Sequence, residues 1–397
     1  MENYIGFNNA ERESYRMMLS VLEKYCKMTC SAVKYVVMLL RYWKKMIMCK
    51  RLNMNQIKEY EVGINSQDKL YCIDSNILLA MCQFYYKGKC DRGNEVTEEL
   101  KRFILKARNY GVLNSFSITE ICYDYTCNTL NSEQMNKIMI AYDNLIMEMS
   151  DNEIITHKGA PAPEAKKNLP RNCTFKSIFD CRLPKYLLNG NGEMLQGFYV
   201  IYLYFLKIQS LYFERISPIK KVEKLFDFMI DEVNIFLGYE FYLAVLLFLG
   251  QSDERNIAEK IFKPTQNPTL AHVLNAVIDI FQYRMVCFMA DKSVQIKMPM
   301  KHVFVTMDKG LQDYIERCVS YNAIISKKNI LPVGYFEMNI KDAYMDDWNE
   351  FYNNRYYPCI KSRSIELNTE EINDAERKTN FSIVCKNIRK YEAEIFY

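Results

Sequence analysis

The chain has 397 residues, long enough for two or three domains and for a core that needs no covalent staples. Apolar residues make up 49% and charged residues 25%, the ordinary mixture of a folded protein, which excludes a disordered chain. Lys plus Arg number 52 against 48 Asp plus Glu, so a uniformly basic nucleic-acid coat is excluded and any contact with a polyanion is local.

Of the 14 cysteines, the closest pairs are Cys26 with Cys30 and Cys122 with Cys127, so there is no CxxC and no zinc ribbon is expected. The three histidines, His157, His272 and His302, are too scattered for a paired His motif. Abundant unpaired Cys fits a reducing cytoplasm, and the polar, acidic start MENYIGFNNAERESYRMM lacks the pattern of an export signal.

From Arg12 to about Met54 the apolar spacing predicts helices with basic outer faces, a helical N-terminal segment assigned to residues 1–66. Its cluster Arg41, Lys44, Lys45, Lys50 and Arg51, interleaved with Tyr42 and Trp43, suits either a phosphate backbone or a solvated helix face over a buried Trp. KLYCIDSNILLAMCQFYY, from Lys69, reads as strand, acidic turn and helix, and EVTEELKRFILKARNYG as an amphipathic helix. SFSITEICYDY begins another helix. Residues 67–130 are taken as the first part of an α/β core.

Residues 131–262 are taken as a mobile loop and helical insertion: Asn152 to Gly197 is rich in turn residues, and Phe198 to Phe262 is helical and apolar. The stretches GFYVIYLYFLKIQSLYF and IFLGYEFYLAVLLFLG are interrupted by Lys207, Gln209 and Glu240 before they reach spanning length, so they are expected to be core helices and no membrane is implied. KPTQNP breaks the chain before the helix PTLAHVLNAVIDIFQYRMV, and KHVFVTMDKGLQDYIERC repeats strand, acidic turn and helix, completing the core over residues 263–322. Residues 323–397 form an aromatic C-terminal extension of mixed charge.

Two strands that each end in an acidic turn, Ile73-Asp74-Ser75-Asn76 and Val305-Thr306-Met307-Asp308, matter because open parallel sheets bind ligands at the carboxyl ends of their strands. With no His or Cys site, the metal chemistry open to such a chain is an all-carboxylate centre for a hard cation, Mg²⁺ or Mn²⁺. Bland roles remain open for each acid: a turn or helix cap for Asp74, an N-cap for Asp308, a capping box Ser117-Ile-Thr-Glu120 for Glu120, and a plain surface position for Asp279.

The ordered set resembles the PIN-domain nucleases, whose motif runs Asp-x-Asn after the first strand, a helical Glu, a helical Asp, then Thr-x-Asp after a late strand. Asp74 and Asn76 match the first element, Glu120 the second, Asp279 the third, and Thr306 with Asp308 the fourth. The resemblance implies a Rossmann-like parallel sheet with a large helical insertion between Glu120 and Asp279, and a Mg²⁺ or Mn²⁺ centre held by Asp74, Glu120, Asp279 and Asp308. Asn76 and Thr306 would support these acids. It further implies hydrolysis of RNA, in a setting such as a toxin or defence nuclease.

Within the insertion, Asp227, Asp231 and Glu240 compete for the third position. Asp279 is preferred because it shares a polar helix face with Asn275 and Gln282. The rival readings are a nuclease of flapped or single-stranded DNA, a non-catalytic module that binds a protein partner through the insertion or the C-terminal extension, and an all-helical structural protein.

Overall fold

A computed structural model describes residues 56–63, 66–124, 129–163, 177–181, 193–295, 300–318, 321–325, 330–334, 339–369 and 374–397. Among these, strand β2 (Lys69–Ile73) is the strand expected at KLYCI, and its last three residues, Tyr71, Cys72 and Ile73, are all buried. A strand buried on both faces must find partners on either side and cover above and below. Its neighbours are β3 (Gly111–Leu113) and β4 (Lys301–Thr306), both parallel to it. Strand β1 (Lys58–Val62) adds an antiparallel edge to β4, giving the order β1-β4-β2-β3.

The fold is therefore mixed α/β, mostly helical around a small mixed four-stranded sheet, and this removes the all-helical reading. β1 lies in the stretch assigned to the N-terminal segment and was not expected. Its sequence KEYEV alternates charged and apolar side chains, as suits an edge strand. The basic cluster around Trp43 lies outside the described residues.

Alternation along the strands sorts the core into two layers. Tyr71, Ile73, Val303 and Val305 face one side, where they meet α1 (Ser75–Lys87), α2 (Asn94–Ala107) and the later helix Ser132–Asp143. Helix α3 (Ser115–Cys122) follows β3, and Ser132–Asp143, α4, packs against α1. The segment assigned to the insertion thus begins with a helix of the first core layer. α5 (Asp151–Thr156) closes that layer through Ile154, behind a capping box formed by Ser150 and Glu153.

Cys72 and Phe304 face the other side, against α6 (Glu193–Phe213), α7 (Pro218–Asp227), α8 (Gly238–Leu249), α9 (Ser252–Phe262), α10 (Leu270–Gln295) and α11 (Lys309–Cys318). The two apolar stretches expected to be core helices are α6 and α8, and every residue from Tyr239 to Leu249 is buried. Each fully buried Leu or Phe side chain removes apolar surface worth about 1.5–3 kcal/mol. The segment Leu270–Ala290 has the length and apolarity of a membrane span, yet 67% of its most apolar window is buried inside the protein, against β4 and α6.

The irregular stretch from Asn152 to Gly197 is helical at both ends, in α5 and α6, with a short 3-10 turn at Ile178–Asp180 between them. Residues 164–176 and 182–192 of this stretch, expected to be loop, lie outside the described residues.

The C-terminal extension holds an antiparallel hairpin, Tyr321–Ile325 with Ile330–Gly334, and then helices α12 (Met345–Phe351), α13 (Tyr357–Thr369) and α14 (Asp374–Phe396). α14 packs on α6 and sinks Val384, Ile388 and Tyr391 into the same core. Glu392 is the polar rivet: its Oε1 accepts from the Ile178 amide and the Tyr202 hydroxyl, each at 2.8 Å, and its Oε2 from Ser177 Oγ at 2.6 Å.

Removing this carboxylate strands three donors under α14, so Glu392→Ala is expected to cost about 2–4 kcal/mol in urea unfolding of the full chain, and Glu392→Gln, which keeps an acceptor, about half of that. Equal losses from the two variants would refute the hydrogen-bonded role.

Candidate metal centre

Parallel pairing of β2 with β4 sets the register Ile73 opposite Val305, and the amide of Asp74 continues the ladder by donating to Val305 O at 2.8 Å. The next residue on each strand is then Asp74 on one side and Thr306 on the other. Thr306 Oγ1 donates to Asp74 Oδ2 at 2.7 Å and accepts from the Asp308 amide at 2.9 Å. One hydroxyl thus fixes both strand-end acids.

Asp74 is buried and heavily tied. Its Oδ1 accepts from the Ser75 amide at 2.7 Å and from Ser75 Oγ at 3.2 Å, and its Oδ2 also accepts from Asn76 Nδ2 at 3.2 Å. It is the N-cap of α1, so the bland role is real, but the bond from Thr306 on the neighbouring strand is more than a cap needs. Asp308 likewise caps α11, accepting from the Leu311 amide at 2.8 Å.

Glu120 arrives by a different route. Helix α3 starts at Ser115, so Ser117 lies inside it and no capping box forms there. Ser117 Oγ instead donates to Ile73 O, at the end of β2, and this anchors α3 so that Glu120, three residues further on, reaches the same sheet end. Glu120 Oε2 accepts from Gln282 Nε2 of α10. Three residues before Gln282 on that helix, Asp279 is half-buried and pairs through Oδ2 with Lys263 Nζ at 2.9 Å.

Asp74, Glu120 and Asp279 each feel the charge of another acid of the set. Glu120 is pushed up to about 8 by burial and then by the charges of Asp74 and Asp279. Asp279 is pushed up to about 6 by burial, against the pull of Lys263 and with a further push from Asp74 and Asp308. Burial also raises Asp74, with Asp308 adding to it and the bonds from Thr306, Asn76 and Ser75 opposing it. Positions far apart in the chain therefore form a single electrostatic centre at the carboxyl ends of β2 and β4.

No protein-family model, curated protein or solved structure matches this chain.

Of the competitors for the third position, Asp227 pairs with Arg355, and Glu240 is sunk in α8 with Arg284 Nε 3.7 Å away. Asp231 is exposed in the turn after α7. Lys309, the residue after Asp308, pairs with Asp313 at 2.6 Å.

The donor set suits a hard divalent cation, since all four groups offer carboxylate oxygens, with Lys263 beside them as a counter-charge. With Asp279 held by Lys263 and Glu120 by Gln282, no three His, Cys, Asp or Glu side chains among the described residues are gathered closely enough to grip one ion. Ligation asks those two side chains to exchange their partners.

Lys263 and Ser117 escaped the sequence reading, as did Gln312, whose Nε2 donates to Thr306 O at 3.0 Å. Ser117 was visible only as a false cap. Lys263 and Gln312 carry no local pattern that marks them.

The raised acids dictate a pH dependence. A carboxyl whose folded pKa lies above its unfolded value contributes stability that is complete below the unfolded value, about 4, and is lost as pH rises through the folded one. For Asp279 and Glu120 that window runs upward through about 6 and about 8. In EDTA the melting temperature is expected to fall from about pH 4 to about pH 8, and Glu120→Gln is expected to flatten the part of the fall above about 6. A parent profile flat across the window would contradict the assigned burial and repulsion.

Proposed function

We propose that the chain is a divalent-metal-dependent endoribonuclease with a PIN-like Rossmann core, whose Asp74, Glu120, Asp279 and Asp308 hold Mg²⁺ or Mn²⁺. The observation that carries this reading is the placement of the four acids at one end of the sheet: Thr306 bonds both Asp74 and the Asp308 amide, and Gln282, which bonds Glu120, lies one turn after Asp279 on α10. Buried carboxyls that raise one another's pKa destabilise the fold unless a cation compensates them, and this marks a functional site more than a structural one.

When bound, a divalent cation supplies Lewis acidity to an attacking water and to the departing oxygen of a phosphodiester. The protein supplies position. Thr306 Oγ1 and Asn76 Nδ2 occupy one oxygen of Asp74 and fix its plane, while the Asp308 amide is held by the same Thr306 hydroxyl. Arg92 Nη1 donates to Met307 O at 3.3 Å, next to Asp308, and so brings a guanidinium to the rim of the site. Lys260 lies near Gly310, two residues past Asp308: a β-carbon added there would meet its stem at 3.3 Å. Cations flanking an acidic centre suit a phosphate backbone that runs across it.

A second reading has its own observation, the pairing of Asp279 with Lys263, which suits a non-catalytic module whose acids are neutralised from within.

Incubation of the purified chain with RNA and with single-stranded DNA in Mn²⁺, Mg²⁺ or EDTA separates the readings. The parent is expected to cut RNA only with metal. Asp74→Asn and Asp308→Asn are expected to lose more than about a hundredfold, because outer partners alone are worth ~10–100-fold, the loss expected of Thr306→Val. Their melting temperatures should stay level or rise as repulsion is relieved. Undiminished cleavage by both Asn variants would sink the assignment, cutting of DNA alone would shift the substrate, and no cleavage in any metal would favour the non-catalytic module.

A further inference from the structure

Lys263 sits where its residue type is not expected. It ends α9 with a left-handed backbone, φ 50° and ψ 55°, while its amide donates to Glu259 O at 2.8 Å. That conformation is the preserve of Gly and, less often, Asn, because a β-carbon crowds the following carbonyl. Among the described residues the other non-glycine with positive φ is Asn234, for which it is ordinary. A strained backbone persists where its surroundings enforce it, and such positions gather at functional sites.

From this cap the side chain reaches Asp279 Oδ2 at 2.9 Å, and its charge also acts on Asp308 and Glu120. The ammonium therefore stands where the centre needs a cation. A tethered ammonium and a divalent ion that seek the same carboxylate oxygens repel each other, so binding of one opposes binding of the other. The stem has somewhere to go. Its side chain is half exposed, so it can swing away from Asp279 into solvent, past a shallow surface pocket lined by Gln209, His272 and Phe205.

We propose that Lys263 is a tethered counter-ion that holds Asp279 in the metal-free protein and is displaced from it when a divalent cation binds. The inference rests on the metal-centre reading above. It explains why the acids are not gathered for ligation as they stand, and why a lysine is kept at a position that favours glycine.

The test is calorimetric titration of the full chain with Mn²⁺ at pH about 8, where Asp279, the partner of Lys263, is largely charged. The parent is compared with Lys263→Met, which keeps the stem and loses the charge. Lys263→Gly, whose backbone accepts the left-handed cap, guards against misfolding. Both variants are expected to bind Mn²⁺ about tenfold more tightly, as removal of a competing neighbouring charge predicts. Both should also show a larger rise in melting temperature with saturating Mn²⁺ than the parent does. A purely structural lysine would weaken binding or leave it unchanged, and either result would overturn the exchange while leaving the metal centre standing. Binding to the variants but not to the parent would support it. Absence of Mn²⁺ binding to all three proteins would overturn the exchange and the metal-centre reading together.

Discussion

The parallel pairing of β2 with β4 is the constraint on which the rest of the site depends. Residues 69–73 and 301–306 are distant in the chain, yet their register brings Asp74 beside Thr306, and the hydroxyl of Thr306 then binds both Asp74 and the amide of Asp308. Because side chains alternate along a strand, a slip of one residue would exchange Cys72 and Phe304 with their neighbours and turn each face into the wrong core. The packing of two unlike layers therefore enforces the register that assembles the acids. Stability and site geometry are two consequences of one ladder.

That assembly carries an electrostatic cost. Asp74, Glu120 and Asp279 are all lifted above their ordinary pKa by burial and by mutual repulsion, and the polar bonds around Asp74 offset only part of it. Glu240 is a contrast: it is also buried and raised, but it lies alone in α8 with unpartnered oxygens and Arg284 as its nearest cation. Burial alone raises a carboxyl. What separates Asp74, Glu120 and Asp279 from Glu240 is that neighbouring carboxylates push on each of them as well.

How much of this was legible in the sequence depended on whether the cause was local. KLYCIDSN and HVFVTMD could be read because an apolar run, a polar turn and a helical pattern follow within a few residues. The cap roles of Asp74 and Asp308 were legible for the same reason, and both are realised. Glu120 carried a misleading local pattern, since Ser117 looks like a cap until the helix is seen to begin at Ser115 and Ser117 to bind Ile73 O. β1 was missed because KEYEV has few apolar residues and becomes a strand only by pairing with β4. The part played by α14 was illegible because Glu392 gains its meaning from Ser177, Ile178 and Tyr202, none of which is near it in the chain.

The helical body from α6 to α10 belongs with the strand ends it serves. Its apolar residues form one cluster with Cys72 and Phe304, so the sheet and these helices share a core rather than meeting at a domain boundary. The same body delivers three groups to the strand ends: α10 carries Asp279 and Gln282, and the end of α9 carries Lys263. Phe205 of α6 packs on Phe262, the residue before Lys263, with ring centroids 5.3 Å apart. The cap from which the ammonium reaches Asp279 therefore follows directly on a residue packed in the helical core, so the core that holds the sheet also anchors the counter-charge of its strand ends.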